Sequence, residues 1–270
     1  MPNQLSWEEK LTFAKSANYD WVEISIDATD EKINRVFWSQ EERSELVFLM
    51  HQHQIYCETM NVSALTKFAL GSKNPEIEKR GLEIVLNAID LATDLGVRLI
   101  QIPGYDVYFE PGDKDTHQRY LKNLRKVVNH AAYKGISLGL ETMENDYMNT
   151  VSKAMLCVDT IKSPYLNVYP DIGNITNAIY QSNISIYEDM MKGYGHIIAV
   201  HLKETKPNIY REVPYGSGHS MFDGAIKAAK EMGISMFLGE FWCVDEENWQ
   251  EECKSSNRFL RAKIERVFYD

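Results

Sequence analysis

Seven short apolar runs punctuate the chain, and longer amphipathic stretches separate them. WVEISI (21–26), IYCETMNV (55–62), RLIQIPGY (98–105), ISLGLETM (136–143), LNVYPD (166–171), IIAVHLKET (197–205) and MFLGEFW (236–242) read as strands. The stretches between them carry apolar residues at three-to-four spacing, as in EIEKRGLEIVLNAIDLATDLG (76–96), and read as helices. Gly96, Gly135 and Gly233 each stand where a helix C-cap belongs, just ahead of a strand. Repeated strand–helix units with no Pro/Gly/Ser-rich linker predict one parallel α/β domain over 1–270. Seven strands fit either a doubly wound sheet or a (β/α)8 barrel lacking its first strand. A doubly wound nucleotide-binding sheet usually carries a glycine-rich phosphate loop early, and none occurs here. The strand missing from a barrel belongs ahead of residue 7, where the chain already enters a helix at about Ser6.

Composition narrows the function. At 270 residues and 44% hydrophobic, the chain is long enough for a large core. Its formal net charge of −10 argues against a nucleic-acid surface, so an anionic substrate needs a local cationic pocket. No run approaches the ~18 apolar residues of a membrane span, and no charged-then-apolar leader opens the sequence. Cys57, Cys157, Cys243 and Cys253 show no metal-type spacing and read as reduced thiols of a cytoplasmic protein.

The strand ends carry the chemistry. In a parallel barrel, functional side chains gather at the C-terminal ends of the strands. Those ends supply Glu141 in LGLETM, Asp171 in NVYPD, His201 in AVHLK and Glu240 in FLGEFW. Successive members lie roughly 30 to 40 residues apart, one strand–helix unit each. Any one of them alone reads equally well as a solvated loop acid, a helix N-cap or a core histidine. Together, three carboxylates and an imidazole would repel as bare charges, and a divalent cation resolves that repulsion. An O3N donor set suits Mn²⁺, Mg²⁺, Co²⁺ or Zn²⁺. Glu141 and Glu240, on strands separated by the other two, would flank a chelated ketose from opposite sides. Removal of a C3 proton by one and return of a proton by the other is a two-base epimerisation. The one-base variant, moving a proton between C1 and C2, is an aldose–ketose isomerisation. His51, His53, His117, His130 and His196 read as structural, and His219 lies in a loop.

These residues also carry a family resemblance. The segments VEISIDATDEKINR, FALGSKNPEIEKRGLEI, IQIPGYDVYFE, MNTVSKAM, YPDIGN and HIIAVHLKETKP resemble the bacterial L-ribulose-5-phosphate (L-xylulose-5-phosphate) 3-epimerases. That group is often labelled hexulose-6-phosphate isomerase and lies within the xylose-isomerase-like TIM barrels. The likeness runs from about Ser6 to the C-terminus. It implies a (β/α)8 barrel and one divalent metal held by Glu141, Asp171, His201 and Glu240. The two glutamates are then the acid/base pair, the substrate a pentulose 5-phosphate and the assembly a homodimer. Lys203 shares a face with His201 by strand alternation and is the first candidate for substrate or phosphate contact. Lys67 and Lys206 follow, with Tyr105, Tyr108 and Trp242 as sugar-packing aromatics and Tyr169 as core. Residues 206–222, with Pro207, Pro214, Gly216 and Gly218, read as a loop over the pocket.

Two departures qualify the resemblance. Leu65 and Thr66 stand where the family tends to carry His and Arg, and Ser217 and Met221 depart from a GEGxxDF pattern. Related chains also run about a dozen residues further upstream through a first strand, so a truncated start is expected. Its loss would expose the edges of the flanking strands. A phosphodiesterase of the abasic-site endonuclease type shares the barrel, but it needs several zinc ions, many histidines and a basic DNA face. A non-catalytic sugar-phosphate binder would show metal and ligand binding without proton exchange.

Overall fold

The computed structural model describes residues 1–243 and 247–269. Seven strands and ten α-helices alternate among them: α1 (Trp7–Ser16), β1 (Val22–Ser25), α2 (Asp30–Asn34), α3 (Gln40–His53), β2 (Cys57–Asn61), α4 (Pro75–Leu95), β3 (Leu99–Pro103), α5 (Lys114–Lys134) and β4 (Ser137–Glu141). They continue with α6 (Val151–Ile161), β5 (Leu166–Tyr169), α7 (Ile172–Ile179), α8 (Ile186–Met191), β6 (Val200–Lys203), α9 (Phe222–Glu231), β7 (Phe237–Glu240) and α10 (Trp249–Tyr269). Each strand falls inside one of the seven apolar runs, and the helix expected from about Ser6 begins at Trp7 with Ser6 as its N-cap. Strands β1 to β5 run in that order in one sheet, and β6 pairs with β7 in parallel.

The chain divides into two compact units. One comprises Trp21–Glu141 with Leu156–Asn167. Its ladders are parallel, with Met60 opposite Ile100 and Ile100 opposite Leu138. All five residues of β3 are buried, as befits a strand covered on both faces. Asn74 caps α4 and Pro75 opens it, while Gly96 at φ 80° closes it in the left-handed conformation that only glycine adopts without strain. Its apolar face buries Ile84, Val85, Ala88, Ile89, Leu91, Ala92 and Leu95. Asp106 is buried in the loop after β3, where it accepts the Thr116 hydroxyl at 2.6 Å and faces His117 Nε2 at 3.1 Å. A fixed carboxylate thus joins the PGYDVY stretch to the first turn of α5.

The other unit comprises Met1–Asp20, Thr142–Met155 and Val168–Asp270. Isolated parallel bridges pair Val168 with Ile197 and Asp171 with His201, and β6 is matched to β7 with Lys203 opposite Glu240. The end of α1 is tied to α10. Asn257 donates its amide to the carbonyls of Ala17 and Asn18 at 2.9 and 2.8 Å, and the Tyr19 hydroxyl donates to Cys253 O at 2.8 Å.

Gly81 sits inside α4, where glycine costs about 1 kcal/mol relative to alanine in a free helix. A Cβ at that position would lie 2.1 Å from the carbonyl oxygen of Phe68, which is backbone and cannot swing aside. Packing therefore overrides propensity. Gly81→Ala is expected to destabilise the protein by about 1–3 kcal/mol, measured by denaturant unfolding, although alanine is the better helix former.

Candidate metal and active site

The site begins with Asp171, the first residue after β5 and its Pro170. The sequence allows this acid to be an N-cap or a ligand, and the structure gives each of its oxygens a separate partner. Oδ1 accepts the Asn174 backbone N–H at 2.8 Å, capping α7. Oδ2 lies 2.9 Å from the Lys203 ammonium. The side chain is wholly buried, and its backbone is fixed by Thr142, whose hydroxyl accepts the Asp171 N–H at 2.9 Å. Asn174 in turn donates its amide to Thr142 O at 2.9 Å, so the chain just past Glu141 is pinned to the start of α7.

His201 and Lys203 alternate along β6 and share a face. The His201 backbone N–H donates to Pro170 O at 2.8 Å, setting it beside Asp171. Its Nδ1 lies 2.8 Å from Glu240 Oε2 and 3.9 Å from Asp171 Oδ2. Lys203 Nζ reaches Glu240 Oε1 at 3.5 Å and stands 5.9 Å from the centre of the Trp242 ring. Burial alone would raise the Glu240 carboxyl, but the Lys203 charge and the His201 hydrogen bond outweigh it and hold the group well below the usual carboxylate range. Glu240 is also the accessible member, with 26% of its side chain exposed against 1% or less for His201 and Asp171.

Asp171, His201 and Glu240 each offer a ligand atom within 4.8 Å of the others. Two hard carboxylate oxygens and an imidazole nitrogen, from buried Asp171 and His201 and partly exposed Glu240, are a donor set that fits a divalent cation. Glu141 closes β4 in the other unit and is buried there, where it accepts a hydrogen bond from the amide of Gln101. It is joined by one peptide bond to Thr142.

The remaining candidates are placed as follows. Tyr169 is fully buried, with its ring 4.5 Å from that of His201, in keeping with a core role. Trp242 is 38% exposed. Tyr105 is buried and packs edge-on against Tyr108 at 4.8 Å. Lys67 is exposed, its ammonium 5.4 Å from the Phe68 ring, and Lys206 lies in a tight turn, its N–H donating to Ile209 O at 3.0 Å. His130 pairs with Asp90 on the helical surface at 3.0 Å. His219 rests edge-on against Tyr180 at 5.1 Å, and burial pushes its imidazole below the ordinary value against the pull of Glu204. All four cysteines are free thiols, with Cys243 and Cys253 sulfurs 3.8 Å apart.

Sequence reasoning missed three supporting residues. Gln101 is the one amide inside the apolar LIQIP strand, and that break in the pattern was its signal. Tyr215 donates its hydroxyl to Leu202 O at 2.5 Å and lies 3.2 Å from Glu240 O, tying the 206–222 segment to the ends of β6 and β7. Glu204 is buried and accepts the backbone N–H groups of Gly216 and Ser220 at 2.9 and 3.0 Å. Gly218 packs so closely over it that a Cβ would stand 2.1 Å from Thr205 O and 2.5 Å from Glu204 Oε1. Glu204→Gln keeps the shape but turns one acceptor into a donor, leaving one of the two N–H groups unpaired. Faster hydrogen exchange across 214–221, with exchange in α10 unchanged, is the expected outcome by mass spectrometry.

Comparison with known proteins agrees with this architecture. Residues 11–263 match the family described as xylose isomerase-like TIM barrel. The chain is 34% identical over 265 residues to the L-ribulose-5-phosphate 3-epimerase UlaE of Salmonella heidelberg, covering 98% of this chain and 92% of the relative. The protein of the same name from Escherichia coli O157:H7 is likewise 34% identical over the same shares. Among solved structures, D-psicose 3-epimerase from Clostridium cellulolyticum superposes with a TM-score of 0.77 at 18% identity, over 97% of this chain and 94% of that one. An L-ribulose 3-epimerase gives 0.72 at 19% identity, over 97% and 88%. The chain belongs to the xylose isomerase-like TIM barrel family, as a member of the isomerase class of enzymes.

Proposed function

We propose that the protein epimerises a ketopentose 5-phosphate at C3, interconverting L-ribulose and L-xylulose 5-phosphates, with one divalent metal ion. The observation that carries the reading is the Asp171–His201–Glu240 cluster in a chain 34% identical over nearly its full length to proteins named L-ribulose-5-phosphate 3-epimerase. In this reading Glu141 completes the ligand set, and residues 1–270 are one barrel domain. Such an ion, Zn²⁺, Mn²⁺, Co²⁺ or Mg²⁺, would polarise the C2 carbonyl and make the C3 proton more acidic.

The chain's own carboxylates move the protons. Glu240, ionised and partly exposed beside Lys203 and His201, accepts the C3 proton from one side of the sugar. Glu141, protonated at the outset, gives its proton to the opposite side of the resulting enediolate, and in the reverse reaction the two exchange roles. One proton leaves and one returns, so only the configuration at C3 changes. Lys203, Trp242, Tyr105 and Lys67 form the substrate-facing set, the lysines answering the phosphate and hydroxyl oxygens and the aromatics screening the enediolate from water. The enzyme is expected to work in the cytoplasm as a homodimer.

The test is NMR of L-ribulose 5-phosphate in D2O with Mn²⁺-loaded protein, quenched and stripped of metal before the spectra are taken. Deuterium entering at C3, and falling by at least ~100-fold in Glu141→Gln and Glu240→Gln, is the expected result. Deuterium at C1 would instead identify a ketose-phosphate isomerase, and ligand binding without exchange a sugar-phosphate binder. Asp171→Asn should lose most of its Mn²⁺ by elemental analysis. Unchanged metal content in that variant would remove Asp171 from the ligand set.

A further inference from the structure

Lys203 is a buried cation that the proton transfers leave unused. Its side chain is 5% exposed, and it lies deeper than the Glu240 carboxylate that it faces across the β6–β7 ladder. A lysine so placed pairs with what surrounds it or loses its charge. Its ammonium lies 2.9 Å from Asp171 Oδ2 and 3.5 Å from Glu240 Oε1, atoms of two residues whose carboxylates are proposed to take the metal.

We propose that Lys203 is the resident cation of the site. In the metal-free protein its ammonium holds the Asp171 and Glu240 carboxylates together, and an arriving divalent ion displaces it from them. This rests on the metal reading of the site given above. A carboxylate oxygen that faces an ammonium at ion-pair distance is not open to a second cation at the same place, so the two compete. Lysine suits such an exchange, because its charge sits at the end of a flexible four-carbon stem rather than in a rigid fork.

The displaced ammonium has somewhere to go. The Trp242 ring, 5.9 Å from Nζ and 38% exposed, offers a π face next to the present position. Movement of the ammonium toward that ring would carry it from the buried carboxylates toward the accessible side of Glu240. The same lysine then serves as counter-ion before metal arrives and as an oxygen-binding donor afterwards.

Lys203→Met separates the two roles. Without metal, the variant is expected to melt at least about 3 °C below the wild type, because the buried Asp171 carboxylate and the partly exposed Glu240 carboxylate lose their cation. Its Mn²⁺ affinity, measured by titration calorimetry on protein freed of metal, is expected to be about tenfold tighter, because the competing charge is gone. Saturating Mn²⁺ should close the gap in melting temperature. Lys203→Arg, which keeps the charge, should retain the metal-free stability and bind Mn²⁺ no more tightly than the wild type; it decides the case if the methionine variant does not fold. Wild-type or weaker Mn²⁺ affinity in Lys203→Met, an unchanged metal-free melting temperature, or tighter binding in Lys203→Arg would each overturn the proposal. A wild-type protein that takes up no Mn²⁺ overturns the metal reading as well, whereas normal uptake with no gain in the methionine variant overturns only the role of Lys203.

Discussion

Burying carboxylates at strand ends is the constraint from which the site follows. Asp171 has no contact with solvent, and an isolated ionised carboxylate in such a place would be prohibitively costly. The chain answers with a different partner for each oxygen: a helix N-terminus for Oδ1 and an ammonium for Oδ2. Glu240 receives the same treatment from Lys203 and His201. Each cation or N–H group is supplied by a neighbouring strand end or by the turn that follows it. Parallel order is what brings those ends side by side.

The two demands on Asp171 reinforce each other. Capping α7 fixes the rotamer of the side chain and therefore the direction of the second oxygen. Thr142 and Asn174 immobilise the backbone on either side. A carboxylate held this way loses little further freedom when it takes a ligand, and such preorganisation strengthens binding without adding contacts. The N-cap reading of the sequence is met by the Asn174 N–H, and the arrangement is compatible with the ligand role proposed for Asp171.

Much of this was legible in the sequence because it depends on period and position. The seven apolar runs located the seven strands of the described residues, and four of those runs contained Glu141, Asp171, His201 and Glu240. Alternation alone put His201 and Lys203 on one face. What escaped was set by contacts between residues distant in sequence or by exposure. Nothing in HLKET distinguishes Lys203, directed at two carboxylates, from a lysine directed at solvent, and nothing marks Glu204 as an acceptor for amides more than ten residues away. Tyr215 reads as an ordinary loop aromatic until its hydroxyl is found beside the carbonyls of Leu202 and Glu240. Gly81 reads as a flaw in a helix until the carbonyl of Phe68 is seen against it.

The Glu204 anchor bears on how this enzyme meets an anion. Glycine-rich turns commonly present their amides to phosphate, and the YGSGHS segment looks suited to that use. Here the amides of Gly216 and Ser220 already belong to an internal carboxylate, and the close fit of Gly218 seals that arrangement. The turn thus carries its own anion as a structural part and has those two donors committed. Those two amides are closed to an external anion, so the phosphate of the proposed substrate would draw instead on donors such as side-chain cations, whose selectivity single substitutions can change while the loop backbone stays untouched.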